Sequence, residues 1–405
     1  MNFLNSRQAA RDGQDDRVRE VVPGAVLVEI PVNNGPISSI AASHDGKRLM
    51  VTNYGRDSVS VIDTKTYRVL ETVTGVNEPF AIAVGGEDAN RAYVSIVSEA
   101  YDSIGVIDTS TNTLIATHPL ALSVSDLVVN PDGKHVYASR NGAGGADVAV
   151  LDTATDRVEV IDLAHLSDLF NAPGTTAESV RVSFDGSRLY VGTNGAAGGQ
   201  VVVIGTPEAS GQDTDRDGPR WRRKNSKKSS GSPRGHTGLR VIDTVQIGLP
   251  IRDVALSPDG AVAYVASYGA ELGAVVDVID TRTNKIANTR KIGAMGGILT
   301  GLTLSSDGDR AYLVRDDSVT VLSTLTFDVI GTLGVAMQPS CVVESPDGKC
   351  LYIADYSGTV TVAPIASTIP SGTPPAIESA AYQSDASSHW GIPELLLQQY
   401  EPALA

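Results

Sequence analysis

Cysteine occurs only twice in 405 residues, and the six histidines, at positions 44, 118, 135, 165, 236 and 389, are scattered. Neither type recurs at a spacing that would converge on zinc, which excludes a structural zinc module. No stretch approaches the ~18 consecutive apolar residues of a membrane span, so no transmembrane helix is expected. The segment from Met1 to Glu20 is polar and charged and lacks the apolar run of a secretory leader, which makes the cytoplasm the expected location. Two cysteines suit such a reducing compartment. Basic residues are outnumbered 32 to 47, giving a net charge of −15. That charge would repel a polyanion, so general nucleic-acid binding by the body of the protein is not expected. Missing too are a Gly-x-Ser-x-Gly elbow, a phosphate loop and a dinucleotide fingerprint.

What is present is a repeat. Seven times a unit of about forty residues recurs: an apolar stretch, an Asp-Gly turn, an apolar strand, then an alternating strand ending near Ile-Asp-Thr. Ala92-Tyr93-Val94-Ser95, Val136-Tyr137-Ala138-Ser139, Leu189-Tyr190-Val191-Gly192, Ala263-Tyr264-Val265-Ala266, Ala311-Tyr312-Leu313-Val314 and Leu351-Tyr352-Ile353-Ala354 align in one column, with Met50 replacing Tyr in the first unit. Ahead of them lie Asp45-Gly46, Asp132-Gly133, Asp185-Gly186, Asp259-Gly260, Asp307-Gly308 and Asp347-Gly348, with a degenerate Glu87-Asp88-Ala89-Asn90 in the second unit. Asp-Gly supplies the positive φ of a tight hairpin, and the Asp-Thr of Val61-Ile62-Asp63-Thr64 or Val278-Ile279-Asp280-Thr281 can start the next turn. A fourth strand follows, as in Arg68–Val73. Repeated four-stranded antiparallel units that cannot bury their own faces must stack, which predicts an all-β, seven-bladed propeller. The seventh unit stops near Ala363 before a fourth strand, while an unmatched strand stands at Ala25–Ile30. Residues 25–32 are therefore expected to pair near Thr359–Val362 and close the ring.

These motifs, in fixed order over about residues 25–363, resemble the YVTN-type β-propeller repeat family, whose Tyr-Val-Thr-Asn signature is approximated by Met50-Val51-Thr52-Asn53 and Tyr93-Val94-Ser95-Ile96. The resemblance implies the seven-bladed ring. It implies no single function, because a fold does not dictate one.

In such a ring the inter-blade and second-to-third-strand loops share the top face, and the Asp-Gly turns lie on the bottom. Every irregularity can then be assigned to a face. Residues 207–238 form a bottom-face insertion in blade four with eight basic and four acidic residues, against 24 basic and 43 acidic elsewhere. Its composition predicts a mobile segment. It can be an inert loop, or a docking tract for an anionic partner through Arg220, Trp221, Arg222, Arg223, Lys224, Lys227 and Lys228. A calcium loop is the third reading, since Asp213, Asp215, Asp217 and Gly218 copy the opening of an EF-hand-like loop; Lys224 stands where a bidentate Glu is needed. On the top face, residues 163–174 suggest a short helical turn that plugs a gap or covers the mouth. Residues 1–24 are expected to be disordered, and 364–405 to form a linker and a short helix around Ile392–Tyr400 that packs on the blades or on a partner.

A binding or catalytic site should lie among the inter-blade loops at the top mouth. These offer Asn34, Glu78, Asp126, Glu178, Arg181, Arg252, Asp253, Thr300 and Gln338. The four carboxylates could ring a hard cation or attract a cationic group. No cofactor is otherwise expected, and no residue set matches a known catalytic constellation. The expected function is a monomeric, non-catalytic scaffold for a protein partner or small ligand, the alternative being a lactonase-like hydrolase working at the top mouth. Counting back from the Asp347-Gly348 turn sets Cys350 opposite Val343 and Cys341 opposite Tyr352, near or beyond the ~7 Å limit for a disulfide, so free thiols are expected.

Overall fold

The repeat's turn is wider than the sequence suggests. In the first unit Ser43 Oγ donates to Asp45 Oδ1 at 2.7 Å, the same oxygen accepts the Lys47 N–H at 3.1 Å, and the Arg48 N–H returns to Ser43 Oγ at 3.0 Å. Gly46 closes the turn at φ +68°, its N–H 2.9 Å from the Ser43 carbonyl. Asp-Gly is thus the middle of a four-residue loop closed by Ser43 and Arg48, and the pattern recurs from Ser183, Ser257, Ser305 and Ser345. In five blades the Thr after the third strand, preceded by Asp in three of them, ties the second bottom turn to the first. Thr64, Thr153, Thr206, Thr281 and Thr324 donate their hydroxyls to the carbonyls of Gly46, Gly133, Gly186, Gly260 and Gly308 at 2.6–2.8 Å. Two motifs some twenty residues apart are therefore one structural device in these five repeats.

The computed structural model describes residues 27–86, 90–97, 101–120, 123–142, 145–162, 174–206, 239–293, 298–335 and 338–365. Among these the strands form seven four-stranded antiparallel sheets. Six blades are consecutive meanders, and the seventh pairs Val28–Pro31 with Thr359–Pro364 in the register Val28↔Val362 to Pro31↔Thr359. The expected closure is observed. Pro31 sits on the outer edge, where its missing N–H is tolerated, and Ile30 and Val32 are buried against Tyr352, Val360 and Val362.

Seven apolar clusters hold the ring, each shared by two adjacent blades. The Tyr column explains itself there: Tyr93, Tyr137, Tyr190, Tyr264, Tyr312 and Tyr352 are buried, each in the cluster its blade makes with the next. Charged ties cross the same seams. Arg48 Nη1 donates to the Thr109 carbonyl of the following blade at 2.6 Å, and Arg188 Nη1 does so to Thr281 at 2.6 Å. Thr281 therefore serves two blades. Replacing it by Val should lower unfolding free energy in urea by about 1 kcal/mol, and Arg188→Met by about 2 kcal/mol, since the charged donor makes the stronger bond; unchanged midpoints would show these ties to be incidental.

Cys341 pairs with Ala354, and Val343 with Tyr352. The sequence count was two residues out because it assumed the shorter turn. The two cysteines stand further apart than expected and are free.

Candidate functional site

The innermost strands line the central channel, and in six blades they carry a bulge near their top end. The residue just below the bulge is Ser39, Asp126, Ser179, Asp253, Gly301 or Cys341. Two residues further down, Arg181 occupies a column held elsewhere by Ala41, Ala83, Val128, Ala255, Thr303 and Val343. It is the one cation among small and apolar residues there, and the structure shows what it does.

Arg181 bridges three blades. Its Nη1 meets Asp126 Oδ2 of blade three and the Val180 carbonyl at 2.8 Å, and its Nη2 meets Asp253 Oδ1 of blade five at 2.8 Å. Each Asp also receives backbone N–H groups: Val180 on Asp126 at 3.0 Å, Leu302 and Val254 on Asp253 at 3.0 and 2.7 Å. Each carboxylate thereby grips the blade after its own. Burial pushes the Asp253 carboxyl above the usual range, opposed by the attraction of Arg181. Arg181 itself is raised against its own burial by the two carboxylates, so it stays charged at every accessible pH.

Of the residues expected at the top mouth, the structure brings together these three and separates the rest. They stand on strands inside the channel, not on loops, and Arg181 lies below the mouth. Asn34 is tucked under blade one, donating to Ser60 Oγ at 3.0 Å. Glu178 accepts the Thr176 hydroxyl at 2.5 Å. Thr300 donates to the Val314 carbonyl, and Arg252 has a buried Nε with no hydrogen-bond partner. Glu78 and Gln338 are exposed; Glu78 Oε2 lies 3.4 Å from the Tyr54 hydroxyl. The imagined ring of four carboxylates does not form, because two of the four hold Arg181. Among the described residues no three His, Cys, Asp or Glu side chains come together as metal ligands. Asp213, Asp215, Asp217 and the basic tract from Arg220 to Lys228, with Trp221, lie outside the described residues, as do residues 163–173.

Sequence reading missed three features. Glu344 is buried at a position that is apolar in every other blade; it accepts the Tyr312 hydroxyl at 2.7 Å and the Ser306 hydroxyl at 2.9 Å, fastening blade seven to blade six. That column break was visible in the alignment of repeats. Cys341 faces the core with its thiol pushed up to about 12 by burial, so it is protonated and unreactive at neutral pH. A recess of about 320 Å³ also opens at the bottom end of the channel between blades five and six, lined by Arg181, Leu256, Pro258, Leu302 and Leu304 among others.

Comparison with known proteins agrees with this architecture. No family model matches the chain. Across the whole of both chains it is 57% identical, over 411 aligned residues, to the seven-bladed beta-propeller protein Rv1057 of Mycobacterium tuberculosis. It is 36% identical over 190 residues to a seven-bladed beta-propeller protein of Mycolicibacterium smegmatis, covering 47% of this chain and 49% of that one. Among solved structures, hydrazine synthase of Kuenenia stuttgartiensis superimposes with a TM-score of 0.65 at 22% identity, over 82% of this chain and 96% of that one, a likeness of fold alone. By its identity over its full length, and by its seven observed blades, the chain belongs to the family of seven-bladed β-propeller proteins.

Proposed function

We propose that this protein is a non-catalytic binding scaffold with YVTN-type repeats that presents its top face to a protein partner. The saturation of the channel charges carries this reading. Asp126, Arg181 and Asp253 spend their hydrogen bonds on one another and on backbone N–H groups, so these two carboxylates serve as a brace and are not held free to take a proton from a substrate or to ligate a cation. The recess, moreover, lies at the bottom end, opposite the mouth where a propeller hydrolase would gather its loops. The top face offers instead Tyr54, Tyr268 and Tyr356 at the upper ends of second strands, and Tyr101, 52% exposed, in a second-to-third-strand loop. Tyrosine combines a large apolar area with a polar tip and is enriched at interfaces. The exposed Glu78 beside Tyr54 adds an acidic contact. A reducing, cytoplasmic setting is supported by the two free thiols, and a monomer by the closed ring, which leaves no end blade seeking a partner strand.

A photocrosslinking residue at Tyr54 or Tyr356 should capture a discrete partner in host lysate, while one at the outer-rim position Leu70 should not. Equal capture from both places would overturn the assignment of the face. The alternative, a lactonase-like hydrolase, is tested by lactone and ester turnover. The expected rate equals that of the Asp126→Asn/Asp253→Asn variant, whereas turnover that the substitutions abolish would establish the enzyme.

A further inference from the structure

At the upper end of the second strand the repeat sets two arginines in one column, Arg140 in blade three and Arg315 in blade six, and comparing them shows what one of them lacks. Arg140 faces Asp147 across the ladder, its Nε donating to Asp147 Oδ1 at 2.7 Å and its Nη2 to Oδ2 at 2.8 Å. A carboxylate thereby fills the fork of a buried guanidinium. In blade six the ladder runs to Val314↔Val319, so the residue across from Arg315 is Ser318, standing where blade three has Asp147. Arg315 Nη2 donates to Ser318 Oγ at 2.7 Å and to Asp317 Oδ1 at 2.6 Å. Its Nε and Nη1 are buried with no hydrogen-bond partner, on a residue only 7% exposed. Interiors rarely leave the N–H groups of a buried cation unmet.

One more unmet donor faces the same niche. Thr320 lies two residues beyond Ser318 on the third strand, so both side chains stand on one side of the sheet, and its fully buried hydroxyl also has no partner. Blade one shows that these three columns converge. There Asn53, the counterpart of Arg315, donates through Nδ2 to Ser58 Oγ at 3.1 Å and to Ser60 Oγ at 2.9 Å, the counterparts of Ser318 and Thr320. Thr320 pairs with Leu313, a member of the cluster shared by blades five and six, so the niche faces blade five. Arg252 stands in the bulge of that blade's inner strand and has a buried Nε without a partner. Its counterpart in blade three, Ser125, donates to the Ala177 carbonyl of the next blade at 2.5 Å. The counterpart of Ala177 in blade six is Leu299, which pairs with Arg315. The repeat therefore sets a second positive charge at this seam.

We propose that Arg315 Nε and Nη1, with the Thr320 hydroxyl, hold one halide-sized anion at the top of the seam between blades five and six. A guanidinium only donates, so a water would bring hydrogens that Arg315 cannot accept, whereas a halide accepts from every side. Ser318 and Thr320 are buried too, which suits an ion of one atom better than a phosphate or an organic acid. Asp317 offsets the arginine's charge only from the solvent side, where it is screened.

Replacing sodium gluconate stepwise by sodium bromide at constant ionic strength should raise the melting temperature of the full-length protein by about 3–5 °C and then saturate. Crystals grown in bromide should show an anomalous peak beside Arg315 Nε. Arg315→Gln should abolish both signals. Thr320→Val trades a hydroxyl for a methyl of like size; it should leave the melting temperature in gluconate near wild type and shift the bromide midpoint upward about tenfold. That variant tests the site even where Arg315→Gln fails to fold. An equal bromide response in wild type and in every variant that folds would mean an adventitious ion only and overturn the proposal. So would the absence of a response, or density for a water or for the Asp316 carboxylate, whose buried Oδ1 also lacks a partner, seated on Arg315 Nε.

Discussion

Removing residues 1–32 should lower the melting temperature by about 10 °C or prevent folding, whereas removing residues 1–20 should leave it within a degree or two. The first truncation takes away Val28–Pro31, the fourth strand of blade seven, and with it the buried Ile30 and Val32. Each of those side chains contributes about 1.5–3 kcal/mol by burial. The loss also strips the outer edge of Thr359–Pro364 and uncovers the cluster shared by blades seven and one, so a ring becomes an open row with two exposed ends. A loss of about 5 kcal/mol at about 2 °C per kcal/mol gives the stated shift. Thermal denaturation of the two truncations side by side decides the matter, and equal melting temperatures would mean that the ring holds without its closing strand.

Strong acid should loosen the turns of the bottom face. Hydrogen bonds from the turn serines and backbone N–H groups hold Asp45 down to about 2 and keep Asp259, Asp307 and Asp347 below the usual carboxylate range. Asp63 and Asp108, in the second bottom turns, are lowered by the hydroxyls of Thr66 and Ser110. Groups whose folded pKa is depressed add stability above their unfolded value of ~3.9 and lose it as pH falls through the folded value. The melting temperature should therefore drop steeply from about pH 4 toward pH 2, and a profile flat over that window would contradict the turn geometry.

How much of this was legible follows from where the physics is local. Turns, strands and the unpaired strand at each end were readable because Asp-Gly, Tyr-Val and Asp-Thr state local backbone preferences, and a repeat states them several times over. The partner of the closing strand followed from that periodicity, and the structure supplies its register, from Val28↔Val362 to Pro31↔Thr359. The cysteine register did not, because the four-residue width of the turn rests on the Ser345 hydroxyl bond to the Cys350 N–H, which a two-residue reading ignores. Nor is Gly198 explained by its own repeat: it lies in a strand at φ +94°, and a Cβ there would sit 2.2 Å from the Gly248 carbonyl oxygen. Its requirement comes from a segment fifty residues away. The channel trio was partly legible: all three residues were picked out as polar, but the bulge that turns Asp126 and Asp253 inward, and the width that lets one arginine reach both, are products of seven blades closing together. Glu178, Asn34 and Thr300 shared the same polarity and proved to be local hydrogen-bond partners.

Arg181→Leu should be the most damaging single substitution in the channel, at about 3–5 kcal/mol, because it leaves Asp126 and Asp253 largely buried without their common counter-charge. The effect should depend on pH in a direction opposite to that of the turns. Burial already raises the Asp253 carboxyl, and losing the arginine removes the attraction that opposes the rise. A carboxyl whose folded pKa lies above its unfolded value contributes stability at low pH and loses it as pH rises through the folded value. The variant should therefore lie closest to wild type near pH 5 and fall furthest behind near pH 8, a window above the range in which the turn aspartates titrate. Adding Asp126→Asn and Asp253→Asn to Arg181→Leu should recover most of the loss at pH 8, since neutral amides can still accept the backbone N–H groups of Val180 and Leu302. Urea unfolding of wild type, single and triple variants at the two pH values measures all of this. If the deficit of Arg181→Leu is the same at pH 5 and pH 8, or the triple variant is no more stable than the single one, the three charges are not the brace that joins blades three, four and five.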